Sequence, residues 1–170
     1  MGFQKKFNIY PSGGLSGQFV SLDGFVPTPV AFMSDGTVKA GSFVFLKNDK
    51  PGYATKTQTS GTLLGFATRA ANTFLNVPLE EHTDTYPKNS VLTVAQRGQF
   101  YYELPVGASN VKSGQNVIVD PANGNVTFNV PGTANDTGWT VWLLDGAKTA
   151  KAGDLVIIQN IGLNNKPAGA

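Results

Sequence analysis

Turn-forming residues interrupt this sequence at short intervals, and this feature restricts the possible folds more than any other. Glycine, proline or an Asn-rich turn falls in almost every stretch long enough for a stable helix, about 12 residues. The runs between these turns are short, evenly spaced and rich in β-branched and aromatic residues. Such spacing is typical of antiparallel sheets. We therefore expect an all-β protein, either an antiparallel barrel or a jelly-roll-like sandwich, with an extended N-terminal arm.

The clearest hairpin joins residues 116–120 to residues 125–129. Pro121 follows the first run, and the pair Asn123-Gly124 precedes the second. Proline fixes φ and the Asn-Gly pair accepts positive φ, as a tight reversal requires, so these runs are predicted to pair. The other predicted strands cover residues 43–47, 62–68, 91–96, 100–104, 138–144 and 155–161.

Two predicted strands are apolar on both faces. Residues 139–144 and 155–158 show no alternation between apolar and polar side chains. A strand with one face in water would alternate. We expect one face of each strand to lie in the core and the other in an interface.

A Lys-small-Gly turn precedes a strand at three places. The copies are residues 38–41, 111–114 and 150–153. We interpret them as repeated turn chemistry, in which glycine takes the positive-φ position and lysine stays in water. Their unequal spacing excludes a solenoid, and ancient duplication is the alternative.

The chain of 170 residues is long enough for one domain with its own core. We assign residues 1–17 to an N-terminal arm and residues 18–170 to a single β domain. The sequence has no cysteine, which excludes disulfides, thiolate zinc sites and cysteine nucleophiles and fits a reducing cytoplasm.

Charge is sparse in this chain. Charged residues make up 14% of it, the net charge is +2, and no basic run is longer than Lys5-Lys6. The basic stripe of a nucleic-acid-binding protein is missing, so we expect no direct nucleic-acid contact. No apolar run approaches a membrane span of about 20 residues or a signal peptide. Interfaces are depleted in charge, and we expect partners to cover part of this surface.

Catalytic and metal-binding patterns are absent from the sequence. The only histidine, His82, follows Glu80-Glu81 and precedes Asp84, but adjacent extended residues point in alternating directions. We interpret this stretch as a solvated polar loop. The glycine-rich residues 12–17 are interpreted as a flexible joint, because no helix follows them to bind a phosphate. We predict no enzyme activity, no cofactor and no metal.

Aromatic residues offer one alternative. Tyr101, Trp139 and Trp142 could stack against sugar rings, which would indicate a carbohydrate-binding or tail-associated β module. Because alternate strand residues face opposite sides, we favour a core position for Phe100 and Tyr102 and a contact or solvent position for Tyr101.

The order of short motifs along the chain resembles that of the structural cement, or head decoration, proteins of tailed bacteriophages. The motifs that carry the resemblance are residues 1–6, 17–19, 40–44, 61–67, 98–101, 112–117 and 152–158.

This resemblance implies an all-β protein that binds the outside of a phage head and stabilises contacts between major capsid protein subunits. It also implies a homo-oligomer, either dimer or trimer, that is made in the host bacterial cytoplasm and located on the capsid exterior of the virion.

The arm is predicted to supply contacts in such an assembly. Its apolar anchors are Phe3, Phe7, Ile9 and Tyr10, and its cations are Lys5 and Lys6. We expect the lysines to pair with acidic groups of the capsid or of a neighbouring subunit. The alternative is a disordered terminus.

Overall fold

The computed structural model describes residues 14–58, 61–69, 84–129 and 136–161. Within these ranges the regular secondary structure consists of β-strands alone, so the all-β prediction is confirmed. The strands are β1 Phe19–Pro27, β2 Phe32–Ser34, β3 Phe43–Leu46, β4 Tyr53–Thr55, β5 Leu63–Ala67, β6 Val91–Leu92, β7 Val94–Glu103, β8 Asn116–Val119, β9 Val126–Asn129, β10 Asp136–Leu143 and β11 Leu155–Asn160.

These strands belong to one sheet. Its order is β6-β2-β4-β3-β5-β7-β11-β10-β8-β9, and β1 pairs with β7 beside this path. The pair β2 and β4 is parallel, whereas the other pairs are antiparallel. In the described part of the chain the terminal strands β6 and β9 do not pair with each other, so the sheet stays open. The arrangement is a jelly-roll-like sandwich, one of the two forms predicted.

Two hydrophobic clusters lie against this sheet, and the central strands contribute to both. On β3, Phe43 and Phe45 pack in the larger cluster and Val44 packs in the smaller one. On β5, Phe66 packs in the larger cluster and Ala67 packs in the smaller one. Successive strand residues point to opposite faces, so these strands are buried on both sides.

The predicted hairpin is present as β8 and β9. Val119 pairs with Val126 next to the turn, and the ladder continues to Asn116 opposite Asn129. In the turn, the Asp120 carboxylate accepts hydrogen bonds from the backbone N–H of Ala122 at 3.0 Å and from the amide of Asn123 at 2.6 Å.

Other boundaries differ from the prediction. The strands expected at 91–96 and 100–104 form β6 and the long β7, which continues through Gly98. Strand β1 was not predicted because its sequence includes Asp23, Gly24 and Pro27, and its pairing with β7 is irregular at three points. Strands β2 and β4 contain only three residues each, too few to show a period.

The Lys-small-Gly turns have the predicted geometry. Their glycines Gly41, Gly114 and Gly153 have φ of 75°, 86° and 83°, and the three lysines are exposed. A fourth turn of similar geometry, with Leu15 at the lysine position, spans residues 15–18. As in residues 112–115, the side chain of its last residue accepts a hydrogen bond from the N–H of its first, here at 2.7 Å. The described part of the supposed flexible joint, residues 14–17, therefore includes an ordered turn.

Candidate interaction surfaces

The described residues do not form a group of side chains that could hold a metal ion. Within the described ranges no three His, Cys, Asp or Glu side chains are grouped to hold a metal ion. Asp84 accepts a hydrogen bond from Nη2 of Arg69 at 2.6 Å, which makes it part of an ion pair. Glu80, Glu81 and His82 lie outside the described residues.

Two described side chains, Asp35 and Tyr102, have shifted pKa values, and the packing and hydrogen bonds of the fold cause both shifts. Burial opposes the charged form of Asp35, but hydrogen bonds from Thr37, Thr55 and Lys47 outweigh it and lower the pKa of this carboxyl. Burial raises the pKa of Tyr102, so its hydroxyl stays neutral. Each buried side-chain nitrogen or oxygen in the described ranges has a hydrogen-bond partner.

A groove of about 1010 Å³ opens at the end of the sheet where the glycine turns gather. We call it the turn groove. Its wall includes Ser16, Gly41, Tyr102, Val106, Phe128 and Gly153. Strand β9 borders it and pairs, among the described strands, only with β8.

A row of apolar side chains crosses the outer face of three neighbouring strands. Tyr101 of β7 lies opposite Ile157 of β11, and Ile157 lies opposite Trp142 of β10. Trp142 is 45% exposed, and the other two are half-buried. We call these three residues the outer strip.

A second exposed row lies on the strands at the other end of the sheet. Met33 of β2 lies between Val91 of β6 and Tyr53 of β4. Val91 is 60% exposed and Met33 is 42% exposed. The Tyr53 hydroxyl donates to Oδ1 of Asn89 at 2.7 Å, which holds its ring in the row. We call Val91, Met33 and Tyr53 the edge row.

The structure separates the two tryptophans. Trp139 is 1% exposed and packs against the rings of Phe43, Phe66 and Phe100 at centroid distances of 6.0, 5.8 and 5.8 Å. Trp139 is therefore unavailable to a sugar platform with Trp142.

The predicted division of β7 is confirmed, because Phe100 and Tyr102 are buried and Tyr101 faces outward. The core half of the prediction for the doubly apolar strand β11 is confirmed, with Val156 and Ile158 in the core. Ile157 lies on the outer face, where an interface stays a prediction.

Some surface residues were missed by sequence reasoning. Met33, Val91 and Val106 are exposed apolar side chains, but nothing in their local sequence distinguishes them from core residues. The predicted contact residues Phe3, Lys5, Lys6, Phe7, Ile9 and Tyr10 lie outside the described residues.

The described residues begin on the outer strip. Gly14 lies against the ring of Tyr101, and a Cβ on Gly14 would be 2.5 Å from Cδ2 of that ring. The N–H of Gly17 donates to the carbonyl oxygen of Tyr101 at 2.8 Å. Residues 1–13, the leading segment, therefore join the domain at this strip.

No helix in the described ranges is long and apolar enough to cross a membrane.

A model of the family described as "Structural cement protein (E217 gp24/Pam3 gp6)" matches residues 3–161. Among solved structures, a chain from "The capsid of Myoviridae Phage XM1" has a TM-score of 0.61 and 16% identity, over 94% of this chain and 97% of that chain. At 16% identity this similarity shows a shared fold and nothing more. No curated protein matches the chain.

Proposed function

This chain belongs to the family of phage structural cement proteins, and from that membership we propose that it binds the outer surface of a tailed-phage head and stabilises contacts between major capsid protein subunits. The observation that carries the proposal is the family match over residues 3–161. The shared fold with a chain of a myovirus capsid supports it. The role is structural and involves no reaction.

The physical basis of such stabilisation is added binding free energy across subunit seams. A seam opens when the load on the shell exceeds the free energy that holds two subunits together. A protein that binds both sides of the seam must be released before the subunits separate. When several linked copies bind together, release is slow even if each contact is modest, because detached sites rebind from a high effective concentration.

The described surface is suited to protein contacts. The outer strip and the edge row expose large apolar side chains in continuous rows, which are typical of interaction sites. The turn groove adds concave surface bordered by the edge strand β9. We propose that the edge row contributes to contact with the shell.

The leading segment completes the proposal. We propose that Phe3, Phe7, Ile9 and Tyr10 anchor this segment and that Lys5 and Lys6 pair with acidic groups of the capsid or a neighbouring copy. A dimer or trimer would let several segments act together. The protein is made in the host cytoplasm and is placed on the capsid exterior in this proposal.

The test is reconstitution on shells that lack the protein. We expect the purified full-length chain to bind such shells saturably and to raise the temperature at which they release DNA. Cryo-electron microscopy should show it on the exterior, over contacts between capsid subunits. A folded protein that leaves shells unoccupied at saturating concentration would overturn the proposal, as would density confined to the shell interior.

A further inference from the structure

The outer strip is an apolar surface, and the described part of the chain begins at one side of it. Tyr101, Ile157 and Trp142 are directly opposite one another across three strands. Gly14, the first of the described residues, lies against Tyr101 at one end of this strip. Trp142, at the other end, is exposed although it is the largest side chain of the row.

The path of the backbone shows which way the leading segment goes. Gly17 and Gln18 hydrogen-bond with the backbone of Tyr101, at 2.8 and 2.9 Å, along the edge of β7 that faces away from β11. Three residues earlier, Gly14 lies over the Tyr101 ring itself. From Gln18 back to Gly14, the chain therefore passes from the edge of β7 opposite β11 onto the outer face of β7. Continued in this direction, it leads toward β11 and then β10.

The distances fit this path. Neighbouring strands are about 4.8 Å apart, so Trp142 is about 10 Å from Tyr101. The four residues from Gly14 back to Tyr10 span up to about 14 Å when extended. Tyr10 and Ile9 are therefore the first large apolar side chains that come within reach of Trp142.

We propose that residues 9–13 of the same chain lie across the outer strip, with Ile9 and Tyr10 covering Ile157 and Trp142. A segment attached at the edge of the strip has a higher effective concentration there than a segment of another molecule. Burial of these side chains against the strip removes apolar surface from water, and this gain offsets the conformational entropy lost when the residues are ordered.

This inference deepens the proposed function, on which it rests for the role of residues 3–7. It divides the leading segment into a part that is held on its own domain, Ile9 and Tyr10, and a part that reaches the neighbour, Phe3 to Phe7. Holding the root of the segment limits the directions that its tip explores, and such preorganisation lowers the entropic cost of binding.

Paired cysteines test the inference in the full chain, which has no cysteine of its own. Asn8→Cys is combined with Thr140→Cys, whose position is on the same face as Trp142 two residues away. We expect an intrachain disulfide, read by mass and by mobility without reductant. The control combines Asn8→Cys with Thr127→Cys, an exposed position on β9. Equal yields in the two pairs overturn the inference, as does a disulfide formed between mixed single-cysteine variants.

Tryptophan fluorescence gives a second readout. Trp139 is buried, so iodide quenching reports on Trp142. We expect Tyr10→Ser to raise the quenching constant about twofold, because a covered ring becomes exposed. Phe3→Ser, further from the strip, leaves it unchanged. An unchanged constant in Tyr10→Ser overturns the inference.

The two proposals fail separately. A chain that forms the intrachain disulfide but does not bind shells contradicts the proposed function alone. A chain that binds shells but forms no such disulfide contradicts this inference alone.

Discussion

Gly17 and Gly41 lie back to back where two of the glycine turns meet. A Cβ on Gly17 would be 2.7 Å from the backbone nitrogen of Gly41, and a Cβ on Gly41 would collide with Oγ of Ser16. Both glycines have positive φ, 87° and 75°. Around this contact, the N–H of Arg69 donates to the carbonyl oxygen of Gly17 at 2.8 Å. The contact fixes the point at which the leading segment joins the domain.

Gly17→Ala is expected to destabilise the domain by about 2–4 kcal/mol, since it combines an unfavourable φ with a backbone clash. Urea unfolding gives the change in the free energy of unfolding. Gly107→Ala is the matched control, because Gly107 has φ of 93° but no atom within 4 Å of the added Cβ. The control should lose only about 1–2 kcal/mol. Equal losses would show that the close approach is unimportant.

The two tryptophans should differ sharply in their effect on stability. Trp139→Ala removes a ring from the centre of the larger cluster and is expected to cost about 3–5 kcal/mol. Trp142→Ala removes a ring that lies on the surface of the domain, where in our proposal only the leading segment covers it, and should cost no more than about 1–2 kcal/mol. Both values come from urea unfolding monitored by far-ultraviolet circular dichroism. A loss in Trp142→Ala as large as that in Trp139→Ala would contradict its placement on the surface of the domain.

Asp35 predicts a pH dependence of stability. Its carboxylate accepts hydrogen bonds from the N–H and hydroxyl of Thr37 at 2.9 and 2.6 Å and from Lys47 at 3.3 Å. Its pKa is lowered in the folded state, so the unfolded chain binds the proton more tightly. The resulting stability is present above the unfolded pKa, about 4, and is lost as pH falls through the folded pKa.

Asp35→Asn should therefore cost about 1 kcal/mol at pH 7, where the wild-type carboxylate is charged. The difference between wild type and variant should shrink when unfolding is measured below about pH 4. A difference that is constant from pH 3 to pH 7 would refute a role for the charge.

The edge row provides a test of the shell contact. Met33→Ser with Val91→Ser exchanges exposed apolar groups, so the free energy of unfolding should change by less than about 1 kcal/mol. Binding to shells should weaken at least about tenfold if these side chains are buried in the contact. Val26→Ser, on β1 and 42% exposed like Met33, serves as control and should bind normally. Unchanged binding of the double variant would exclude the edge row from the interface.

Lys5 and Lys6 predict a salt-dependent contribution to shell binding. Charges on a surface contact are screened by salt, so affinity should fall as ionic strength rises. Lys5→Ala with Lys6→Ala should weaken binding at low salt and reduce this salt dependence. Lys148→Ala with Lys151→Ala removes the same charge from exposed positions of the domain and is the control. Equal salt dependence in both double variants would argue against pairing by the leading segment.

Local chemistry accounts for what could be predicted. The Asn123-Gly124 turn, the paired strands on either side of it and the three Lys-small-Gly turns follow from backbone preferences within a few residues. The same holds for the core side of β11, because a run such as 155–158 must bury one face wherever it lies in the sheet.

Other features depend on contacts between residues that are far apart in the sequence. The sequence by itself determined the all-β class, the main strands and the turn chemistry of the described ranges. Only the tertiary structure decided that Tyr101, Trp142 and Ile157 form one strip, because strand order and register bring them together. It also decided that β1, β2 and β4 are strands at all, since short or irregular segments become strands only when a neighbour offers its hydrogen-bonding edge.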